Sequence, residues 1–284
     1  MSVFRRNSAK SPVIAISESE LGAMTDDLDE MHRASLPALR ESVDEWRQLH
    51  SDLRSKGAAV AQTVANRRQF LLGTGVLLGG AALAACGSST KTGSSPTSTA
   101  AASGGATTMP AASGDKLTGD LAIVALAAGL ENLAVGTYAA GIKAATAGKL
   151  GTVPPAVVTF ATTAQAHHKA HAAAWNAVLT GAGKSAVTGV DMTVKTAVVD
   201  PTFAKVTDVA GLAKLALTLE DVAAATYLNG IGLIQSKAGI ETAATIQPVE
   251  LQHAAILNFV LGQYPVPNAF GQTTGARVPT DAIG

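Results

Sequence analysis

The sequence predicts an all-α protein whose main domain is a four-helix bundle with one long crossover between its second and third helices. Three observations predict it. From residue 118 to about 264 the apolar residues recur at helical spacing. The connections inside that stretch run short, long, short, which suits two helical hairpins joined by a crossover. One hairpin also repeats the other: Leu130-Glu131-Asn132-Leu133-Ala134-Val135-Gly136-Thr137-Tyr138 returns as Leu219-Glu220-Asp221-Val222-Ala223-Ala224-Ala225-Thr226-Tyr227.

The first helix of the bundle runs from about Gly119 to Ala147 and stops at a glycine-rich turn. The second opens at Pro154-Pro155, since proline is tolerated in a first turn, and ends near Thr180-Gly181. A polar, β-branched connection of roughly 25 residues follows. The third helix is capped by Asp208 and runs from about Val209 to Ser236. The fourth runs from about Gly239 to Gly262, with Pro248 inside it as a place to kink. Residues 265–284 carry Pro265 and Pro267 without periodicity and read as an extended C-terminal strap.

Composition fits slim, close-packed helices. Apolar residues make up 47% of the 284, but aromatic ones only 4%, so alanine and glycine must build the contacts. Balanced charge, 21 basic against 21 acidic residues, gives no electrostatic case for nucleic acid. The single cysteine excludes an intrachain disulfide. No nucleophile–base pair, phosphate loop or nucleotide fingerprint points to another enzyme class.

Residues 67–86 read as an export signal. Arg67-Arg68 precedes the apolar stretch Phe70 to Ala85, which is interrupted by Gly73, Gly75, Gly79 and Gly80. That stretch falls short of the roughly 20 residues a spanning helix needs. Paired arginines before such a stretch resemble a twin-arginine signal. Leu83-Ala84-Ala85-Cys86 resembles a bacterial lipobox, which implies a lipid on Cys86. Residues 87–117, rich in Gly, Ser, Thr, Ala and Pro, form a flexible tether spanning on the order of 30 Å. The layout implies a chain in the cell envelope, anchored to the outer face of the cytoplasmic membrane. Its partners are then the membrane, through the lipid, and the twin-arginine export machinery. In the leading segment, residues 1–66, an amphipathic helix is predicted over 35–56, capped by Ser35 with Pro37 in its first turn. Leu36, Leu39, Val43, Trp46, Leu49 and Leu53 form its stripe. That segment is a partner or dimer helix, or just a long n-region, or translation starts downstream, for example at Met31.

Within the bundle, Glu131 and Glu220 sit in apolar stripes, as does His253. A carboxylate buried there is costly unless it is paired or metal-bound. Glu250 and His253, three apart, project from one face of their helix. Gln165-Ala166-His167-His168 on the second helix stands opposite Glu250-Leu251-Gln252-His253 on the fourth. These residues resemble the ferritin-like di-iron family over residues 118–264, in its secreted, signal-bearing branch. That family places a Glu on each of two helices and a Glu-x-x-His on each of the other two. The resemblance implies metal ligands at Glu131, His168, Glu220, Glu250 and His253, and a cofactor of one or two iron or manganese ions. Gln165 would be a sixth, neutral and weaker ligand where the family has a bridging glutamate, which implies a single metal, or two metals with one carboxylate bridge. Tyr138 and Tyr227, two turns after Glu131 and Glu220, read as core residues donating to a buried carboxylate. His167 and His171 form a separate i, i+4 pair, either a solvated face or a second metal site. Two functions stay open. One is an iron or manganese protein that oxidises or sequesters Fe²⁺ or relieves oxidative stress. The other is a non-catalytic envelope module with a degenerate metal site.

Overall fold

Small residues decide how the helices meet. In the computed structural model, which describes residues 17–73 and 117–279, every regular element is helical and no strand occurs among the described residues. α2 (Asp120–Thr146) pairs with α3 (Pro155–Gly181), and α6 (Val209–Ile231) pairs with α7 (Lys237–Val260); α2 against α6 joins the two hairpins. Ala127, Ala128 and Ala134 of α2 and Ala213, Ala216, Ala223 and Ala224 of α6 are all buried. At Gly141 an added Cβ would lie 3.0 Å from the Leu212 methyls, which shows how closely the two helices approach there. α2 is long and apolar enough to cross a membrane, but most of it is buried as the core helix of the bundle.

Local chemistry sets the boundaries. The Asp208 side chain accepts from Gly211 N at 2.7 Å and caps α6. α6 ends at Ile231 rather than at Ser236, because Ser236 instead caps α7, which begins at Lys237. Asp120 accepts from the backbone N–H of Gln235 and of Ser236, both at 2.9 Å, and pins that turn to the start of α2. The crossover contains α4 (Met192–Val194), a π-helical turn (Lys195–Val199) and α5 (Asp200–Phe203). Asp191 caps α4 and pairs with Arg277 Nε at 3.0 Å, while Arg277 N donates to Thr226 Oγ1. The C-terminal strap is thereby tied to both the crossover and α6.

The leading segment differs from expectation. α1 (Glu18–Gly73) starts well before residue 35. Its start is a capping box: Ser17 Oγ accepts from Glu20 N at 3.2 Å, and Glu20 Oε2 accepts from Ser17 N at 3.0 Å. Ser35 is no cap; its hydroxyl donates to the His32 carbonyl, and Pro37 lies inside the helix. Of the predicted stripe, Leu39, Val43 and Trp46 are buried, while Leu49 and Leu53 are exposed.

Of the described residues, 17–51 and 117–279 belong to one compact unit. Within it α1 lies over α3 and α7. Leu21 and Leu28 join Phe160, Leu257 and Val260. Further along, Ser42 Oγ meets Thr242 Oγ1 at 2.9 Å, and Trp46 meets Trp175 edge to face. A Cβ at Gly239 would lie 2.7 Å from the Trp46 ring, so this glycine makes the seat for the indole. α1 thus runs parallel to α3 and antiparallel to α7. The second unit is Asp52–Ser113, of which Asp52–Gly73 is described and is helical. Cys86 and nearly all of the tether lie outside the described residues, and Arg67 and Arg68 fall in α1 where side chains are not described.

Trp46→Ala should cost about 3–5 kcal/mol, the range for a fully buried aromatic residue. Leu49→Ala, at an exposed position of the same helix, should stay within about 0.5 kcal/mol. Urea unfolding followed by far-UV circular dichroism checks both, and equal costs would show that the indole does not hold α1 to the bundle.

Candidate metal centre

The bundle core holds three carboxylates and three imidazoles. Glu131 on α2, His168 and His171 on α3, Glu220 on α6, and Glu250 and His253 on α7 are each at most 2% exposed. Helical spacing explains the convergence. His168 and His171 are three apart, as are Glu250 and His253, so each pair projects from one face. Their atoms form two overlapping groups: Glu131, His168, His171 and Glu250, and then His168, Glu220, Glu250 and His253. In each group one possible ligand atom per residue lies within 4.8 Å of the others. His168 and Glu250 belong to both, while Glu131 with His171 and Glu220 with His253 flank them. The arrangement follows the pseudo-two-fold of the hairpins.

The hydrogen bonds keep the same symmetry. Tyr138 of α2 donates to Glu220 Oε1 of α6 at 2.5 Å, and Tyr227 of α6 donates to Glu131 Oε1 of α2. Trp175 Nε1 in turn donates to the Tyr227 hydroxyl. His168 spans the centre, with Nδ1 2.8 Å from Glu131 Oε2 and Nε2 3.3 Å from Glu220 Oε1. His253 Nδ1 lies 3.3 Å from Glu220 Oε2. Glu250 is the exception. Its Oε1 is 3.0 Å from His171 Nδ1, and its Oε2 is 3.5 Å from His253 Nδ1 and 3.7 Å from His168 Nδ1; these are ion pairs without hydrogen-bond geometry. His171 Nδ1 makes no hydrogen bond either.

Charge follows from this geometry. Burial alone would raise Glu131, but the charges and hydrogen bonds of His171 and His168 outweigh it and bring it down to about 2. Glu220 is likewise driven well below the carboxylate range by His168 and His253, against its burial. Burial lowers the affinity of the three cluster histidines for protons, yet the carboxylates win: His171 rises to about 9, and His168 and His253 also rise. Tyr138 and Tyr227 are raised by burial and by the carboxylates, so both stay protonated donors. Without metal the cluster holds itself together by protonated histidines; a divalent ion would displace those protons. Two carboxylates flanking a third, with imidazoles between, could hold a metal ion. The Glu250 oxygens and His171 Nδ1, ion-paired but without a hydrogen bond, are the atoms such an ion would engage.

Five of the six ligands predicted from sequence are brought together: Glu131, His168, Glu220, Glu250 and His253. Gln165 is not. Its amide donates to the Val135 carbonyl at 3.1 Å and accepts from Lys169 Nζ at 2.9 Å. Three residues are nearly a full turn, so Gln165 sits one level away from the cluster. His171 takes part instead, and His168, not Gln165, stands where Glu250 stands in the other hairpin. The stripe Ala164, His168, His171, Trp175 and Val178, wholly buried, carries this register in the sequence. The i, i+4 pair His167 and His171 is split: His171 enters the cluster, whereas His167 lies behind His253 and under α1.

The sequence profile of the ferritin-like domain family matches residues 119–263, the stretch that contains all six clustered side chains. No curated protein and no solved structure matches the chain.

The metal-free chain should be most stable near pH 6.5. His171, raised from 6.5 to about 9, stabilises the fold fully below pH 6.5 and loses that contribution as pH climbs through 9. That shift corresponds to about 3 kcal/mol. His32 and His167 act on the other side. Burial first, then neighbouring histidines, lower both to about 3, so between pH 6.5 and 3 the unfolded chain takes up protons that the folded one refuses. Glu131 adds stability above pH 4.5 that is lost only as pH falls through about 2. Thermal melts of chelator-treated protein across this range check the sign; a midpoint that climbs steadily from pH 6.5 to 9 would contradict it.

Proposed function

The chain belongs to the ferritin-like domain family, and we propose that it is a cell-envelope protein that binds iron or manganese between its two helical hairpins. The observation that carries the reading is Glu250. Its carboxylate is fully buried, makes no hydrogen bond and is met only by ion pairs to imidazoles, so a cation set among them would take over the charge that their protons supply. Glu131 with His171, and Glu220 with His253, would hold the metal from either side, with Glu250 shared. Tyr138 and Tyr227 hold the flanking carboxylates in place by donating to their outer oxygens. Bound iron or manganese supplies redox chemistry toward O₂ or peroxide, consistent with Fe²⁺ oxidation, metal sequestration or relief of oxidative stress.

One observation favours a second reading, a non-catalytic bundle with a degenerate site. The shared position on α3 is the neutral ligand His168, where its counterpart on α7 is a carboxylate. Three carboxylates give a charge of −3 against +4 for two divalent ions, so a single ion, or two with one carboxylate bridge, fits the donor set.

The envelope location rests on Arg67-Arg68, the glycine-interrupted apolar stretch and Cys86. A twin-arginine route suits a metal protein, since it resembles a pathway for folded chains and would let the ion be loaded before export.

Elemental analysis of the full chain, purified without chelator and reconstituted anaerobically with Fe²⁺ or Mn²⁺, should find one to two equivalents. His171→Ala should lower that affinity by at least about tenfold, and Gln165→Ala should leave it within about twofold. Wild-type protein that takes up no metal would favour the second reading.

Location is tested separately. Cys86→Ala should release the chain from membranes or stall its processing, and Arg67→Lys with Arg68→Lys should block export. Fractionation that finds both variants lipid-modified and outside the cytoplasm would sink the assignment.

A further inference from the structure

We infer that α1, which lies outside the matched family segment, supplies a positioning residue to the metal centre: Asp29, acting through His167, fixes which nitrogen of His253 faces the cluster. The inference rests on the metal-binding reading above, and it starts from a chain of three hydrogen-bonding groups. Asp29 Oδ1 lies 3.2 Å from His167 Nε2, and His167 Nδ1 lies 3.1 Å from His253 Nε2. His253 Nδ1, at the far side of its ring, lies 3.3 Å from Glu220 Oε2 and 3.5 Å from Glu250 Oε2.

The donors and acceptors in this chain have one consistent order. A carboxylate accepts, so His167 Nε2 carries the hydrogen. A neutral His167 then offers Nδ1 as an acceptor, and His253 Nε2 donates to it. His253 therefore keeps its N–H pointed away from the cluster and leaves Nδ1 to face the metal. Histidines that ligate metals usually anchor their second nitrogen on a carboxylate or carbonyl, which sets the tautomer and makes the ligand more basic. Here the carboxylate is one imidazole further out, and it comes from α1.

The remainder of α1 holds this arrangement in place. The His32 ring stacks on His167 with centroids 3.8 Å apart and planes 21° from parallel, which fixes the plane of the middle ring. The second oxygen of Asp29 pairs with Arg33 Nη2 at 3.1 Å, one turn along the same helix. His167 and His253 are fully buried, while the Asp29 side chain is 41% exposed, so Asp29 can be changed without opening the core.

Two substitutions in the full chain separate the relay from the helix that carries it. Asp29→Asn keeps an acceptor oxygen for His167 but loses the charge and the ion pair to Arg33. Asp29→Leu removes the acceptor. The first readout needs no metal: two-bond ¹⁵N–¹H correlations of the histidine rings, tractable because the chain has six histidines. They should find His167 protonated at Nε2 in the wild type and in Asp29→Asn, and mixed or inverted in Asp29→Leu. The second readout is titration with Co²⁺ followed by its visible absorption. Asp29→Leu should bind about tenfold more weakly with a shifted band, and Asp29→Asn should stay within about threefold of wild type. A wild-type His167 protonated at Nδ1 would overturn the proposal. So would an Asp29→Leu variant with wild-type Co²⁺ affinity and spectrum. Wild-type protein that binds no Co²⁺ would overturn the metal reading instead, and the tautomer readout would then decide the relay by itself.

Discussion

The rest of the structure depends on one constraint: six ionisable side chains share a core from which water is excluded. Burying any of those charges singly would cost more than a domain of this size has to spare. Each must therefore be answered by a neighbour, and the answers cross between hairpins. Tyr138 of one hairpin serves Glu220 of the other, Tyr227 serves Glu131, and His168 stands between both carboxylates. The alanines around them follow from the same constraint. Larger side chains on α2 and α6 would hold the helices too far apart for a tyrosine on one to reach a carboxylate on the other.

Such alanine-lined helices bury little apolar area per residue, so bulk has to come from elsewhere. It comes at the sides of the bundle, where Trp46 meets Trp175 and where Leu21 and Leu28 meet Phe160. α1 supplies half of those contacts. It covers the outer face of α3 and α7, where Asp29 and His32 meet His167. Sealing that side keeps the cluster dry and brings a carboxylate within reach of its histidines.

Much of this was legible in the sequence, and the gaps have physical causes. The bundle, its crossover and the Asp208 cap follow from periodicity and local capping chemistry. So do Glu131 and Glu220, because an internal repeat marks them twice. The second ligand pair on α3 was read one turn early, since a repeat fixes positions within a helix but not across connections of unequal length. Gln165 and His168 fit the spacing of Glu250 and His253, but so do His168 and His171. Packing decides between them: Lys169 draws Gln165 toward solvent, while Trp175 and Ala164 bury the face of His168 and His171. The start of α1 was missed although Ser17 and Glu20 spell a capping box. The docking of α1 was beyond reach, because no sequence pattern says that Gly239 leaves room for an indole two hundred positions upstream.

The covering helix and the proposed lipid signal together would set a condition on maturation. If the chain is cut ahead of Cys86, everything N-terminal to the cut becomes a separate peptide, held to the bundle by packing alone. The cut would free Asp29 and His32 to leave with that peptide and bare Trp175, Leu179 and Ile246 along the outer groove. A precursor folded before translocation would travel with this face closed. The processed form would have to retain the cleaved helix like a bound prosequence, or replace it with another surface of similar shape.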